Sequence, residues 1–310
     1  MSKFIAIVGA TGLQGGSALK VLYAAGGYKL RALSRNPESD SAKSLAAEYP
    51  NVEWVQADLN DTSSLRKALT NVDAVFVVTD FFQKDTLEKV AAGDKDAEFA
   101  QGKNVVDAAI DAGVNSVIYS SLDSMKQLSD GKYAGVLHFE GKHKVEEYIS
   151  SKADKIKGYF IHLGSYMENY VRFSRISPED SQTVEFTMPL KPTTKLPLVD
   201  TINDTGHVVK YILEHPEECL GKVIEVSGGY YEAQEMAKAF TKATGKPARY
   251  VQIPYEAAGM DELSQMFKAI DEFGIFGGRS DFLEYNKEMD CAFVTPEEFW
   301  KNRNWDGPSK

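Results

Sequence analysis

Gly9-Ala10-Thr11-Gly12-Leu13-Gln14-Gly15 has the residue types and spacing to hold an anion. Small residues let a backbone close on a pyrophosphate, and a helix that starts at such a turn adds free N–H groups and the positive end of its dipole. A second candidate is Arg35, in Ser34-Arg35-Asn36-Pro37. A site that prefers NAD places a carboxylate at that point to accept from the ribose 2′-hydroxyl. Here there is none, and a guanidinium can fork onto a 2′-phosphate. The pair of motifs therefore predicts NADP(H) rather than NAD(H). Asp58, in Ala57-Asp58-Leu59, is an acceptor for an adenine amino group or, equally, a cap for the helix that follows it. Thr79-Asp80-Phe81-Phe82 belongs beside the ribose or adenine, with its two aromatic rings over the cofactor.

These groups need a frame that brings them to one edge. Phe4-Ile5-Ala6-Ile7-Val8 leads straight into the glycine turn, and strand-like runs recur at 29–33, 52–55, 74–78, 116–119 and 158–163. Helix-compatible runs lie between them at 14–26, 41–48, 62–69, 95–112 and 136–151. The alternation predicts an α/β fold, a Rossmann-type doubly wound parallel sheet with helices on both faces. Ligand then lies at the carboxyl ends of the strands. After residue 164 the pattern loosens into a smaller α+β C-terminal lobe. The expected division is 1–163 for the nucleotide-binding domain and 164–310 for a substrate- or partner-binding lobe, with segments around 199–229 returning to the first. Within the lobe, 172–204 reads as a long excursion with an antiparallel strand at 183–187. Helices are expected near 204–214, 232–243, 255–272 and 295–302, and strands near 222–226 and 249–253.

Composition narrows the partners. A formal net charge of −10 opposes direct binding to nucleic acid or to an acidic membrane surface. Lys152, Lys155 and Lys157, and the thinner pair Lys191 and Lys195, read as solvated surface. No run is long and apolar enough for a membrane helix, and the chain enters its first strand at once, so a cytoplasmic protein is expected. Cys219 and Cys291 have no metal spacing and read as ordinary thiols, and His207 and His215 have no acidic or Cys partner at ligand spacing, so no metal is expected.

Together these residues resemble the atypical short-chain dehydrogenase/reductases, with glycines spaced GxxGxxG. In catalytic members a Tyr stands four residues before a Lys. The Lys binds the nicotinamide ribose and lowers the Tyr pKa, the Tyr moves the proton, and a Ser at the end of the fifth strand holds the substrate carbonyl. Here Ser120 and Ser121 end the fifth strand and Lys142 opens the next helix, but His138 stands where the Tyr would be. Tyr133 is followed four residues on by Leu137. The literal match Tyr148-Ile149-Ser150-Ser151-Lys152 falls at the far end of the helix and reads as a decoy.

Within that superfamily the chain is similar to the NmrA-like family along nearly its whole length. His138-Phe139-Glu140-Gly141-Lys142, Val145-Glu146-Glu147-Tyr148, Tyr166-Met167-Glu168-Asn169 and Glu297-Glu298-Phe299-Trp300 carry the likeness, with the glycine turn, Ser34 to Pro37 and Val78 to Phe82. The resemblance implies NADP(H) contacts at Gly9 to Gln14, Arg35, Thr79, Lys142 and Tyr166 to Asn169. A Lys that some relatives use late in the helix before the fifth strand corresponds here to Ala100, and Lys103 is a poor substitute three residues away.

Two functions follow. A site that keeps the cofactor groups and lacks the usual proton donor suits a sensor of the NADPH/NADP+ ratio. The resemblance implies a regulator acting through protein partners such as transcription factors, in the cytoplasm or the nucleus. The alternative is an NADPH-dependent reductase of a small carbonyl, quinone or enone, an oxidoreductase in which Lys142, His138 and Ser121 are the candidate catalytic groups. An imidazole titrates at about 6.5, in range for a general acid, though Lys142 disfavours its protonated form. Phe273 to Gly278 is expected to act as a substrate lid, a partner surface or an apolar anchor, and Tyr230-Tyr231 as packing.

Overall fold

The alternating strands and helices of the first half close into one sheet in the computed structural model, which describes residues 2–289 and 293–308. The first six strands are β1 (Lys3–Val8), β2 (Tyr28–Ser34), β3 (Glu53–Gln56), β4 (Ala74–Val77), β5 (Ser116–Ser121) and β6 (Lys157–Leu163). Then come β7 (Ser165–Tyr166), β8 (Ser174–Ile176), β9 (Val184–Met188), β10 (Lys195–Val199), β11 (Val223–Val226), β12 (Tyr230–Glu232) and β13 (Ala248–Gln252). Seven of them share a sheet in the order β11-β6-β5-β4-β1-β2-β3. The pairings among β1 to β6 are parallel. The chain winds outward from β1 through β2 and β3, then returns to β4 on the other side of β1. That reversal opens a crevice at the carboxyl ends of β1 and β4, where this fold takes its ligands.

One face of the sheet is covered by three helices, Thr62–Ala68 with its buried Leu65 and Ala68, Ala97–Asp111 and Leu137–Ser150. Val75, Val77, Val117, Tyr119 and Phe160 pack with Val105 and Ala109 of the helix Ala97–Asp111 and with Val145 and Ile149 of the helix Leu137–Ser150. Two glycines set the approach of those helices. A Cβ on Gly102 would stand 2.3 Å from Val145 Cγ2, and one on Gly141 would stand 3.1 Å from Glu98 Oε2.

The chain forms two compact units. The first holds the chain up to Leu122, His138–His162 and Thr205–Ile224. The second holds Asp123–Leu137, Leu163–Asp204 and the chain from Glu225 onward. The second unit carries two three-stranded sheets, β12-β10-β7 and β13-β9-β8. Its core gathers Phe186, Phe240 and Trp300, with Trp300 stacked on Phe186 at 5.3 Å and its indole N–H donating to Met236 O.

Two expectations for this half change. The strand foreseen at 183–187 is antiparallel to β8 but parallel to β13. The helix foreseen at 255–272 divides into a 3-10 turn, Tyr255–Ala258, and the helix Asp261–Phe273, with Gly259 between them at φ +83°. The strand β10 went unforeseen because Pro197 sits within it, a residue that ordinarily argues against a strand.

Candidate functional site

The glycine turn joins β1 to the helix Leu13–Ala25. Gly9 takes φ +67°, and its carbonyl accepts from Gly12 N at 2.8 Å. A Cβ on Gly15 would stand 2.2 Å from Gly9 O, and one on Gly12 3.2 Å from the same atom. No side chain caps this helix and no acidic residue lies in its first turn, among the described residues. Its orphan N–H groups and dipole therefore face the mouth of the turn without a negative side chain in competition. Ala10 is buried and Leu13 is exposed. The cradle fits a pyrophosphate.

Arg35 lies just past β2, exposed, with no ion-pair or hydrogen-bond partner for its guanidinium among the described residues. The group is free to meet a phosphate. Ser34 Oγ accepts from Asn36 N at 3.2 Å, which shapes the turn that carries Arg35. Asp58 does not cap the next helix. Asp61 does so, accepting from Ser63 N at 2.9 Å and Ser64 N at 3.2 Å, while Asp58 Oδ1 accepts from Asn60 N at 2.8 Å. Leu59 offers its carbonyl to Asn104 Nδ2 at 2.9 Å. Asp80 is exposed, and Gln101 holds its backbone at both N–H and carbonyl. Phe81 is buried, so of the two aromatics expected over a cofactor only Phe82, 47% exposed, presents an open ring.

Thr79 and Lys142 meet, with a partner that the motifs do not include. Lys142 Nζ donates to Thr79 O at 3.1 Å, to Thr79 Oγ1 at 3.0 Å and to Glu98 Oε1. Thr79 Oγ1 donates to Glu98 Oε1 at 2.8 Å and lies 3.0 Å from the Tyr119 hydroxyl. Thr79 has one hydroxyl proton, given to Glu98, so the Tyr119 hydroxyl donates to Thr79. Both lone pairs of Thr79 are then occupied, and the three N–H groups of Lys142 are spent. Thr79 as a residue is 97% enclosed, and its hydroxyl is engaged by Glu98, Lys142 and Tyr119. Burial, and then the charge of Glu98, push the Tyr119 hydroxyl well above its ordinary range, so it remains a neutral donor.

Glu98 escaped the motif reading, yet a signal was present. It lies three, four and seven residues before Gln101, Gly102 and Val105, on the buried face of its helix. A carboxylate on such a face needs a partner.

His138, Lys142 and Glu146 recur at every fourth residue of the helix Leu137–Ser150 and so share one side of it. The His138 ring packs against Phe81 at 5.7 Å, Phe82 at 5.5 Å and Phe139 at 4.8 Å. Ser121 is buried and donates to Lys142 O at 3.3 Å. Opposite it in register is His162, whose Nε2 lies 2.7 Å from Glu146 Oε2. Glu146, half-buried, belongs to the Val145-Glu146-Glu147-Tyr148 stretch, but its buried partner His162 lay outside the motifs.

The other tyrosines are engaged elsewhere. Tyr148 donates to Asp107 at 2.5 Å, and burial followed by that bond raises its pKa, the reverse of what an activated catalytic Tyr needs. Lys103 pairs with the same Asp107. Tyr133 donates to Glu272 at 2.8 Å.

In the second unit Tyr166 ends β7, while Met167 is fully buried. Glu168 accepts from Thr201 N at 3.4 Å and Ile202 N at 3.3 Å and pairs with Arg303 at 3.3 Å. The structure thus turns the Met167 and Glu168 side chains inward, and Tyr166 and Asn169 are the half-buried members of the stretch. Ile275 and Phe276 are buried, and Phe276 packs on Phe282 at 5.1 Å, so their part of the 273–278 segment anchors. Beside it lies a cavity of about 760 Å³ bordered by Lys191, Thr193, Tyr230 and Phe273. Tyr230 donates to Arg279 O at 2.6 Å. Cys219 is buried, His215 stacks on Tyr211 at 4.2 Å, and Cys291 lies outside the described residues.

The sequence matches the NmrA-like family over residues 1–301. An NmrA-like family domain-containing protein of Dictyostelium discoideum is 25% identical, across 98% of this chain and 99% of its own. An NmrA-like family domain-containing oxidoreductase of Aspergillus campestris is 31% identical, across 80% of this chain and 74% of that one. The crystal structure of NmrA, a negative transcriptional regulator, in complex with NADP matches with a TM-score of 0.77 and 24% identity, over 97% of this chain and 95% of that one. The NADPH-dependent quinone oxidoreductase of Escherichia coli, complexed with NADPH, matches with a TM-score of 0.74 and 22% identity, over 97% and 99%. At these identities the structural likeness establishes the fold.

Proposed function

The chain belongs to the NmrA-like family, and from that premise we propose that it binds NADP(H) and reports the state of that pool to protein partners. The turn from Gly9 to Gly15 would take the pyrophosphate and Arg35 the 2′-phosphate. Lys142 would stand at the nicotinamide ribose as a charge already neutralised. The cofactor supplies hydride chemistry when bound. The observation that carries the reading is at the proton-donor position: His138 stands there among three aromatic rings, and both Tyr133 and Tyr148 donate to carboxylates elsewhere. A net charge of −10 suits a protein partner better than nucleic acid. No helix among the described residues is long and apolar enough to cross a membrane.

The second reading, a reductase of a small carbonyl, quinone or enone, is favoured by the oxidoreductase relative. Hydride transfer needs only bound NADPH and a well-placed acceptor. Calorimetric binding of all four nicotinamide forms, run beside NADPH consumption on a carbonyl and quinone panel, separates the two. Tight NADP(H) binding without turnover is expected. Turnover abolished by Lys142→Ala or His138→Ala would replace the sensor with the reductase.

A further inference from the structure

Glu98 has no part in the contacts expected of the cofactor site, yet it is the most deeply buried charge there. Its side chain is 1% exposed, against 13% for Lys142. One of its oxygens takes both Lys142 and Thr79, while the other, Oε2, is buried with no hydrogen-bond partner among the described residues. A pair kept for stability would be expected to satisfy both oxygens, because a buried ion pair rarely repays its desolvation otherwise. What Glu98 does accomplish is electrical: it cancels the charge of Lys142.

We propose that Glu98 sets the relative affinity of this site for oxidised and reduced cofactor by neutralising Lys142. The proposal rests on the reading that Lys142 stands at the nicotinamide ribose. The oxidised ring carries a positive charge and the reduced ring carries none. An uncompensated ammonium beside the ribose would repel the first and ignore the second. With Glu98 in place the neighbourhood is neutral, and both forms are admitted. A unit charge at a part-buried site changes such a preference by roughly tenfold.

The test is the ratio of NADP+ to NADPH dissociation constants by calorimetry at pH 8, in the full chain. Glu98→Gln is expected to weaken NADP+ about tenfold relative to NADPH. The double variant Glu98→Gln/Lys142→Gln is expected to return the ratio to that of the parent. Lys142→Gln alone, which leaves the carboxylate unopposed, moves the ratio towards NADP+ and carries the test should Glu98→Gln fail to fold. Equal weakening of both forms by Glu98→Gln would mean a structural role only and overturn the proposal. So would a shift that persists in the double variant, or a Lys142→Gln ratio that stays put or moves towards NADPH. If the parent chain binds neither form, the cofactor reading itself fails, and the proposal fails with it.

Discussion

Gly15 lies so close under Gly9 that a single methyl on it would stand 2.2 Å from the Gly9 carbonyl oxygen. The atom it would strike is backbone, which cannot swing aside. Gly15→Ala is expected to force the turn open, at a cost of about 1–3 kcal/mol in stability. It should weaken cofactor binding by at least a hundredfold, since the N–H groups would no longer converge. Calorimetry and a thermal melt on the same sample check both halves.

Arg35 is the next lever. Its guanidinium is exposed and has no partner among the described residues, so its removal disturbs little else. Arg35→Ala is expected to weaken NADP(H) roughly ten- to hundredfold and to leave NAD(H) nearly unchanged. An equal loss for both pairs would dissociate Arg35 from the 2′-phosphate.

Tyr148→Phe should leave cofactor affinity at the parent value, despite the literal YxxxK motif. The cost is the bond to Asp107, about 1 kcal/mol by chemical denaturation.

Acid stability should carry the mark of Asp204. Burial is the main force that pushes its carboxyl up to about 8, aided by the nearby Asp200 and Glu168 and opposed by N–H bonds from Val294 and Asp200. Arg303, paired with Glu168, is the cation of this group. An unfolded Asp loses its proton near 3.9. Through the interval from there to about 8 the unfolded chain has released a proton that the folded chain keeps. Folding stability contributed by this group therefore declines as pH rises through that interval, and levels off above it. Melting temperature should fall between pH 5 and pH 8, and Asp204→Asn should flatten the slope.

Trp300→Ala is expected to cost about 3–5 kcal/mol, because the ring is buried and stacked on Phe186. Urea unfolding measures it.

The frame of the site was readable in the sequence because it rests on local rules. Apolar runs near the length of one strand, with a glycine turn at β1, specify a parallel sheet, and the helices fall within a residue or two of their expected bounds at Leu13–Ala25 and Leu137–Ser150. The charge partners were not readable. Glu98 lies 44 residues from Lys142, and Glu146 lies 16 from His162, so each pair exists only once the sheet has closed. Thr79 illustrates the same limit. Its position after β4 was plain, but its saturation by three side chains is a property of packing. The short strands β7, β8 and β12 were missed because two or three residues give no periodicity.

Gly141 is the smallest part of this arrangement and sets its dimensions. Where it has no side chain, the carboxylate of Glu98 passes, so close that a Cβ at Gly141 would stand only 3.1 Å from Oε2. Adding one methyl at Gly141 would press on the Glu98 carboxylate and so on its hold over Lys142, without adding or removing a charge. The voltage-like setting of the site is thus written in helix spacing as much as in charge, and an uncharged substitution can retune it.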